Sequence, residues 1–250
     1  MKTDDIEAIE RATVAAVAPR AVEETDDRWL LPFDNGTVGR AKTAVPLRHE
    51  APAARLVERI EGRYLAQGLP AAFRVADAPC FDALQEALMQ SGYQRRKPTF
   101  TQVGTLRALL ALSSDAPAEV DGAPDAGWAS VFLGEGLDPV DGASRVKALS
   151  RATGTLFGSV REDGRTVAAG AMALSHGWAS VHGMRTEQSA RGRGLAGRVM
   201  AGLAQAALQR GFERVFLQVE AGNAPALALY RRAGFTPAWA YAYWTPASAR

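Results

Sequence analysis

The chain has 250 residues, of which 47% are hydrophobic and 22% charged, with a formal net charge of +2 at pH 7. These proportions suit a folded chain and exclude a disordered one, which needs few apolar residues and a large net charge. Near-balanced charge leaves no global field to hold nucleic acid or an anionic membrane, so neither partner is expected and any anionic ligand needs a local site. The single cysteine, Cys80, rules out an intrachain disulfide and fits a reducing, cytoplasmic setting. Without a Cys/His cluster, no metal site is expected. The acidic start, Met1 to Asp5, lacks the apolar core of a signal peptide, and no apolar run reaches the roughly 18 residues of a membrane span. Heavy use of Ala, Arg and Gly fits a bacterial, GC-rich coding bias.

In chain order, residues 4–17 carry Ile6, Ile9, Val14 and Val17 at helical spacing after an Asp-rich start. Trp29 to Phe33 and Thr37 to Val45 flank Asp34-Asn35-Gly36, and Asn-Gly predicts a hairpin turn there. Residues 51–67 put Leu56, Val57, Ile60, Tyr64 and Leu65 on one helical face, with Gly68 as the stop. Ala72 to Val75 reads as a strand, Cys80 to Gln90 as a helix, and Tyr93 to Leu106 as an extended segment interrupted by Pro98. Residues 113–127 collect Ser, Asp, Pro and Gly and read as a long loop, followed by two short helices near 126–133 and 140–151. Gly154 to Arg161, Thr166 to Leu174 and Trp178 to Arg185 form an antiparallel meander with tight turns between them. A helix over 194–210, a strand from Arg214 to Glu220, a helix over 224–232 and a strand from Phe235 to Trp244 complete the chain.

One pattern occurs twice. Gly68, a strand, a helix and Gly92 parallel Gly211, a strand, a helix and Gly234, with spacings of 24 and 23 residues (92 − 68 and 234 − 211). Two helix-strand-helix-strand units of nearly equal length suggest a duplicated fold.

The segment Arg191-Gly192-Arg193-Gly194-Leu195-Ala196 lies between a strand and a helix. A helix start offers unpaired N–H groups and the positive end of the dipole, and glycines there let an anion approach the backbone. Arg191 and Arg193 add charge that can clamp phosphate oxygens. The Lys-Ser/Thr ending of a Walker loop is missing, and the meander before it does not fit a dinucleotide fingerprint. Further on, Asn223 closes a strand and is followed by a helix ending Leu229-Tyr230-Arg231-Arg232-Ala233-Gly234-Phe235. In these two segments the chain resembles the GNAT superfamily of acyl-CoA-dependent N-acyltransferases. That family's cofactor loop is Arg/Gln-x-x-Gly-x-Gly/Ala, matched by Arg191, Gly194 and Ala196, and its second signature is matched by Asn223, Leu229, Tyr230, Gly234 and Phe235. The resemblance covers about residues 150–245.

The resemblance implies an α/β (α+β) fold of two GNAT-like lobes, each a mixed, mostly antiparallel sheet flanked by helices. Residues 1–97 would be a degenerate lobe and residues 98–250 the catalytic one. It implies acetyl transfer from acetyl-CoA to a primary amine by direct attack; the alternative is an acetyl-CoA-binding sensor without turnover. The pyrophosphate would sit on the amides of Arg191, Gly192, Arg193, Gly194, Leu195 and Ala196, and the pantetheine arm would pair near Met184 and Thr186. Asn223 would bond that arm or cap the following helix, or do both. Tyr230 would protonate the leaving thiolate. For the proton of the attacking amine, four acceptors stay open. Glu220 shares a strand face with Phe216 and Gln218, His182 and His176 can titrate near neutral pH although His176 reads first as a turn residue, and a chain of waters could also serve.

The aromatics Trp239, Tyr241, Tyr243 and Trp244 could line an acceptor pocket, though such residues usually pack a sheet face. Cys80 reads as a small core residue. In the first half, alignment on the helix-ending glycines sets Arg48 over Arg191 but Ala51 over Gly194, Pro52 over Leu195 and Leu88 over Tyr230. That half has lost the phosphate cradle and the acid. It is expected to shape or cover the acceptor site, with a hairpin over Gly36 to Leu47 supplying the contact. The identity of the amine and the oligomeric state are not legible.

Overall fold

The computed structural model describes residues 1–134 and 136–247. The first half runs through α1 (Thr3–Val17), β1 (Ala21–Glu24), β2 (Trp29–Phe33), β3 (Val45–Pro46), α2 (Leu56–Ala66), β4 (Phe73–Ala76), α3 (Asp82–Gln90) and β5 (Tyr93–Thr105). Then come the short helix α4 (Leu106–Leu110), β6 (Glu119–Asp121), α5 (Ala126–Ser130) and α6 (Pro139–Arg151). The second half comprises β7 (Thr155–Glu162), β8 (Arg165–Ser175), β9 (Trp178–Thr186), α7 (Leu195–Leu208), β10 (Arg214–Glu220), α8 (Ala224–Arg232) and β11 (Thr236–Pro246). The fold is α/β, with no helix among the described residues long and apolar enough to cross a membrane.

The two halves repeat one plan of three strands, a helix, a strand, a helix and a strand. They are joined by exchange. An eight-stranded sheet runs in the order β4-β11-β5-β10-β9-β8-β7-β6. The last strand of the first half, β5, pairs antiparallel with β10 of the second. The last strand of the second half, β11, pairs antiparallel with β4 of the first. The exchanged strands pair with each other in the middle, so the arrangement is close to two-fold. The equivalence continues on either side: β9 and β10 are parallel, and Ala44, just before β3, makes a parallel bridge to Phe73 of β4. Position 97/98 therefore lies inside β5, a single strand that serves both halves.

Hydrophobic alternation explains the layers. Val215, Leu217 and Val219 of β10 face α7 and α8 in the main core, with Val199, Met200 and Leu203 of α7. Phe216, on the opposite face, packs on Trp178 and on Ile9 and Ala12 of α1. Burying Leu- or Phe-sized side chains contributes roughly 1.5–3 kcal/mol each, which holds α1 and α7 against the two faces of one sheet. The first half has its own core around Trp29, Leu31, Ile60, Tyr64, Phe73 and Phe81, with Cys80 packed at its edge and Trp244 of β11 inside it.

β1 and α4 have no counterpart among the expected elements, and the sequence and the structure differ in two further places. Asn35-Gly36 does not make a tight hairpin: β2 pairs antiparallel with β1 and, across a wide connection, with β3 at Trp29–Pro46 and Leu30–Val45, and within that connection residues 39–41 make a single 3₁₀ turn. Asp34 Oδ1 accepts from Gly36 N at 2.7 Å, and Thr37 bonds α6 through its N to Ser144 Oγ (2.9 Å) and its Oγ1 to Asp141 (2.7 Å). These bonds carry the segment outward onto the second half, so tertiary ties override the local turn signal. Within the expected loop 113–127, residues 119–121 form the edge strand β6 against β7.

Candidate active site

β9 and β10 diverge. They pair only at Ala179–Val215, Ser180–Phe216 and Val181–Leu217, although β9 continues to Thr186 and β10 to Glu220. Past Val181, β9 keeps its partner β8 but has none toward β10, so that edge presents free backbone N–H and C=O groups. β9 also bulges there, with Gly183 and Met184 facing the single Gly170 of β8. Met184 packs across Gly170, so closely that a Cβ at 170 would lie 2.4 Å from its sulfur. The divergence opens into a cleft of about 790 Å³ lined by both halves. Its walls include Met184, Thr186, Ala196, Glu220, Asn223, Tyr230 and His182, so seven of the twelve expected site positions line it, brought there by β9, β10, α7 and α8.

The Gly-rich loop enters α7. Gly192 and Gly194 have φ of +77° and +76°, a region where an L side chain is strained by about 1–2 kcal/mol, and nothing stands within 4 Å of where their Cβ atoms would be. Among the described residues, the N–H groups of Gly192, Arg193, Gly194, Leu195 and Ala196 find no acceptor, whereas Gly197 and Arg198 already bond Gly194 O. Five successive free amides at a helix start, with open space before the glycines, fit a pyrophosphate. Leu195 is buried and anchors the first turn. The arginines divide. Arg191 remains beside the loop, its Nε 3.4 Å from Thr186 O. Arg193 instead forms a two-pronged pair with Glu162 (2.7 and 3.0 Å), so its side chain is engaged away from the loop and only its amide belongs to the cradle.

Asn223 caps α8 by accepting from Ala226 N at 3.2 Å. This fixes the helix that carries Tyr230. The Tyr230 ring is buried against Phe235, with centroids 5.8 Å apart, and its hydroxyl has no hydrogen-bond partner among the described residues. Burial raises the phenol's pKa above its ordinary value, with the Arg185 charge opposing, so the proton is held at neutral pH and is available for donation.

Glu220 ends β10, exposed, and is the one carboxylate among the described cleft-lining residues. The face it shares with Phe216 and Gln218 is the one expected. His182 is buried, with Nε2 2.8 Å from Ser180 Oγ and Nδ1 3.2 Å from Arg40 Nη1. A guanidinium only donates, so Nδ1 is the acceptor and Nε2 carries the proton toward Ser180. Burial first, and the Arg40 charge second, hold the His182 pKa well below its ordinary value. With its lone pair engaged by a cation, His182 is a poor base in this arrangement, and His176 lies in the turn between β8 and β9, outside the cleft lining.

Arg40 was not among the residues the sequence singled out. It comes from the 3₁₀ turn at 39–41, and its Nη1 also donates to Gln218 Oε1 at 3.1 Å. The segment expected to cover the acceptor side does reach the cleft, as a turn rather than a hairpin. No short-range signal marks Arg40, because its partners lie 142 and 178 residues away. Of the last-strand aromatics, Tyr241 and Tyr243 line the cleft while Trp244 is core.

Residues 3–244 match the family described as Probable histone acetyltransferase Rv0428c C-terminal. The chain is 27% identical over 240 residues to the uncharacterized N-acetyltransferase YobR of Bacillus subtilis strain 168, an alignment spanning 94% of this chain and 96% of that protein. Its fold is similar to that of a GCN5-related N-acetyltransferase from Kribbella flavida, with a TM-score of 0.70 at 18% identity over 97% of this chain and 96% of the other. It is also similar in fold to a tandem GNAT protein from the clavulanic acid biosynthesis pathway, with a TM-score of 0.59 at 16% identity over 97% and 95% of the two chains.

Proposed function

The chain belongs to the family of the probable histone acetyltransferase Rv0428c C-terminal region, acyl-CoA-dependent acyltransferases of the GNAT superfamily, and on that premise we propose that it transfers an acetyl group from acetyl-CoA to a primary amine by direct attack. The observation that carries this reading is that the β9–β10 divergence opens onto the same cleft that holds Tyr230 and adjoins the five free amides. Acetyl-CoA would supply an activated thioester. The amides from Gly192 to Ala196 would hold its pyrophosphate, with Arg191 adding charge. The free edge of β9 at Met184 and Thr186 would pair with the pantetheine arm, and a backbone N–H there would polarise the thioester carbonyl. Glu220 would take the proton of the attacking nitrogen. As the C–N bond forms and the C–S bond breaks, Tyr230 Oη would give its proton to the departing sulfur.

The test is twofold. Calorimetry should show one acetyl-CoA bound per chain, because the first half has Ala51 and Pro52 where the second has its cradle. CoA thiol release should then appear with some member of an amine panel that includes free amino acids, polyamines and a histone-tail peptide. Absence of acetyl-CoA binding would defeat the reading, and binding without turnover on any amine would favour a sensor.

A further inference from the structure

The acceptor side of the cleft is cationic. Arg40, Lys42, Arg96, Lys97, Arg145 and Arg185 line it, against the single carboxylate of Glu220. Arg145 is paired with Asp141 at 2.6 Å, but among the described residues the other five have no carboxylate within 4 Å. Like charges gathered without counter-ions raise the local positive potential and destabilise the empty site, so they mark a place built for an anion.

Arg40 is not a spare ligand for the CoA phosphates. The free amides belong to α7, which packs on the Val215, Leu217 and Val219 face of β10. Arg40 meets Gln218 on the opposite face, where α1 lies and where Thr13 also bonds Gln218. At Gln218 the sheet separates Arg40 from α7, whereas the charge of Arg185 acts on Tyr230 and Arg191. Arg40 is held in place: its Nη1 is fixed between His182 Nδ1 and Gln218 Oε1, and its Nε and Nη2 have no partner among the described residues. A guanidinium with one edge anchored and the other unpaired is preorganised for a forked contact with a carboxylate or phosphate. His182 is the first residue of β9 beyond the last β10 pairing, so Arg40 stands beside the mouth of the divergence. Strand residues advance by only about 3.3 Å each, so an anionic group at Arg40 and a nitrogen at the divergence are close enough to be carried by one small molecule.

Resting on the acetyl-transfer reading, we propose that the acceptor is a small amine bearing a carboxylate or phosphate a few bonds from its nitrogen, with Arg40 as the residue that selects for it. A polycationic lysine-rich tail would instead meet five unneutralised cations.

The experiment compares kcat/KM for three acceptors: a short aminoalkyl carboxylate, its uncharged amide, and the matching aminoalkyl phosphate. A lysine-rich histone-tail peptide is run alongside. One charge-assisted fork supports a preference of about tenfold to hundredfold for an anionic acceptor over the amide. That ratio should collapse toward one in Arg40→Gln, shrink in the surface variant Lys42→Gln/Lys97→Gln, and fall with added salt. The surface variant keeps the test informative if Arg40→Gln does not fold. Which anion wins identifies the group. Equal rates on the anionic and amide acceptors, preference for the histone peptide, or an unchanged ratio in both variants would overturn the inference while leaving acetyl transfer intact. No CoA release with any acceptor would defeat the transfer reading, and this inference with it.

Discussion

Tyr230 combines a ring fixed by Phe235 with a hydroxyl that has no partner among the described residues, so removing the oxygen separates chemistry from packing. Tyr230→Phe should lower kcat by about 10²–10⁴ and leave acetyl-CoA affinity nearly unchanged, as measured by steady-state kinetics beside calorimetry. A change within threefold would make Tyr230 a packing residue. Gly194 offers a second clean substitution. Its Cβ would touch nothing in the free protein, but φ is +76°. Gly194→Ala should cost about 1–2 kcal/mol of stability and greatly weaken the thermal shift that acetyl-CoA produces. The histidines set the acid limit. Burial, with Arg74 second, pushes His49 down to about 4, and His182 lies well below 6.5 for the corresponding reasons. Between the folded and unfolded values the unfolded chain binds more protons, so the stability these neutral rings contribute is complete above pH 6.5 and is lost as pH falls toward 4. Each ring contributes a slope of up to about 1.4 kcal/mol per pH unit. Urea midpoints between pH 7.5 and 4.5 should fall for the wild type and fall less steeply for His49→Gln.

Among the elements, α1 is clamped to β4, the outer partner of the exchanged strand β11, by charge, and to the sheet by apolar contact. Glu10 of α1 and Arg74 of β4 are both buried, 2.5 Å apart, and the Arg74 guanidinium lies 5.2 Å from the Tyr241 ring centroid of β11. Removing one partner of such a pair leaves the other charge buried and unmatched. Glu10→Ala should therefore cost about 3–5 kcal/mol, and Glu10→Met combined with Arg74→Met should recover most of it, as read from denaturant midpoints. This clamp was not legible in the sequence, because a Glu among Ile6, Ile9 and Val14 reads as the edge of an amphipathic helix. The α7 loop and the Asn223-to-Phe235 signature were legible because their residues are contiguous and their geometry is local. The Asn35-Gly36 turn was misread because the bonds that decide it reach Asp141 and Ser144, more than a hundred residues away. Periodicity identified β5 and β11 as strands but carries no information about which neighbour a strand chooses.

At the level of the whole molecule, the exchange of β5 and β11 means that neither half completes the eight-stranded sheet by itself. Cutting at 97/98 would divide β5 and remove β4, the outer partner of β11. The fragment 98–250 should therefore lack a cooperative thermal transition and aggregate through the bared edge of β11, whereas the full chain melts in one step. A fragment that melts cooperatively and binds acetyl-CoA would show that the halves are independent. The same exchange governs how the chain comes off the ribosome. β4 is complete by residue 76, yet its partner β11 begins only at Thr236, far later in the chain. Domain-by-domain folding during translation, the usual safeguard for a long chain, is denied to this one. While the residues between β4 and β11 are made, the nascent first half carries an unmatched strand edge, an association hazard that lasts until β11 emerges.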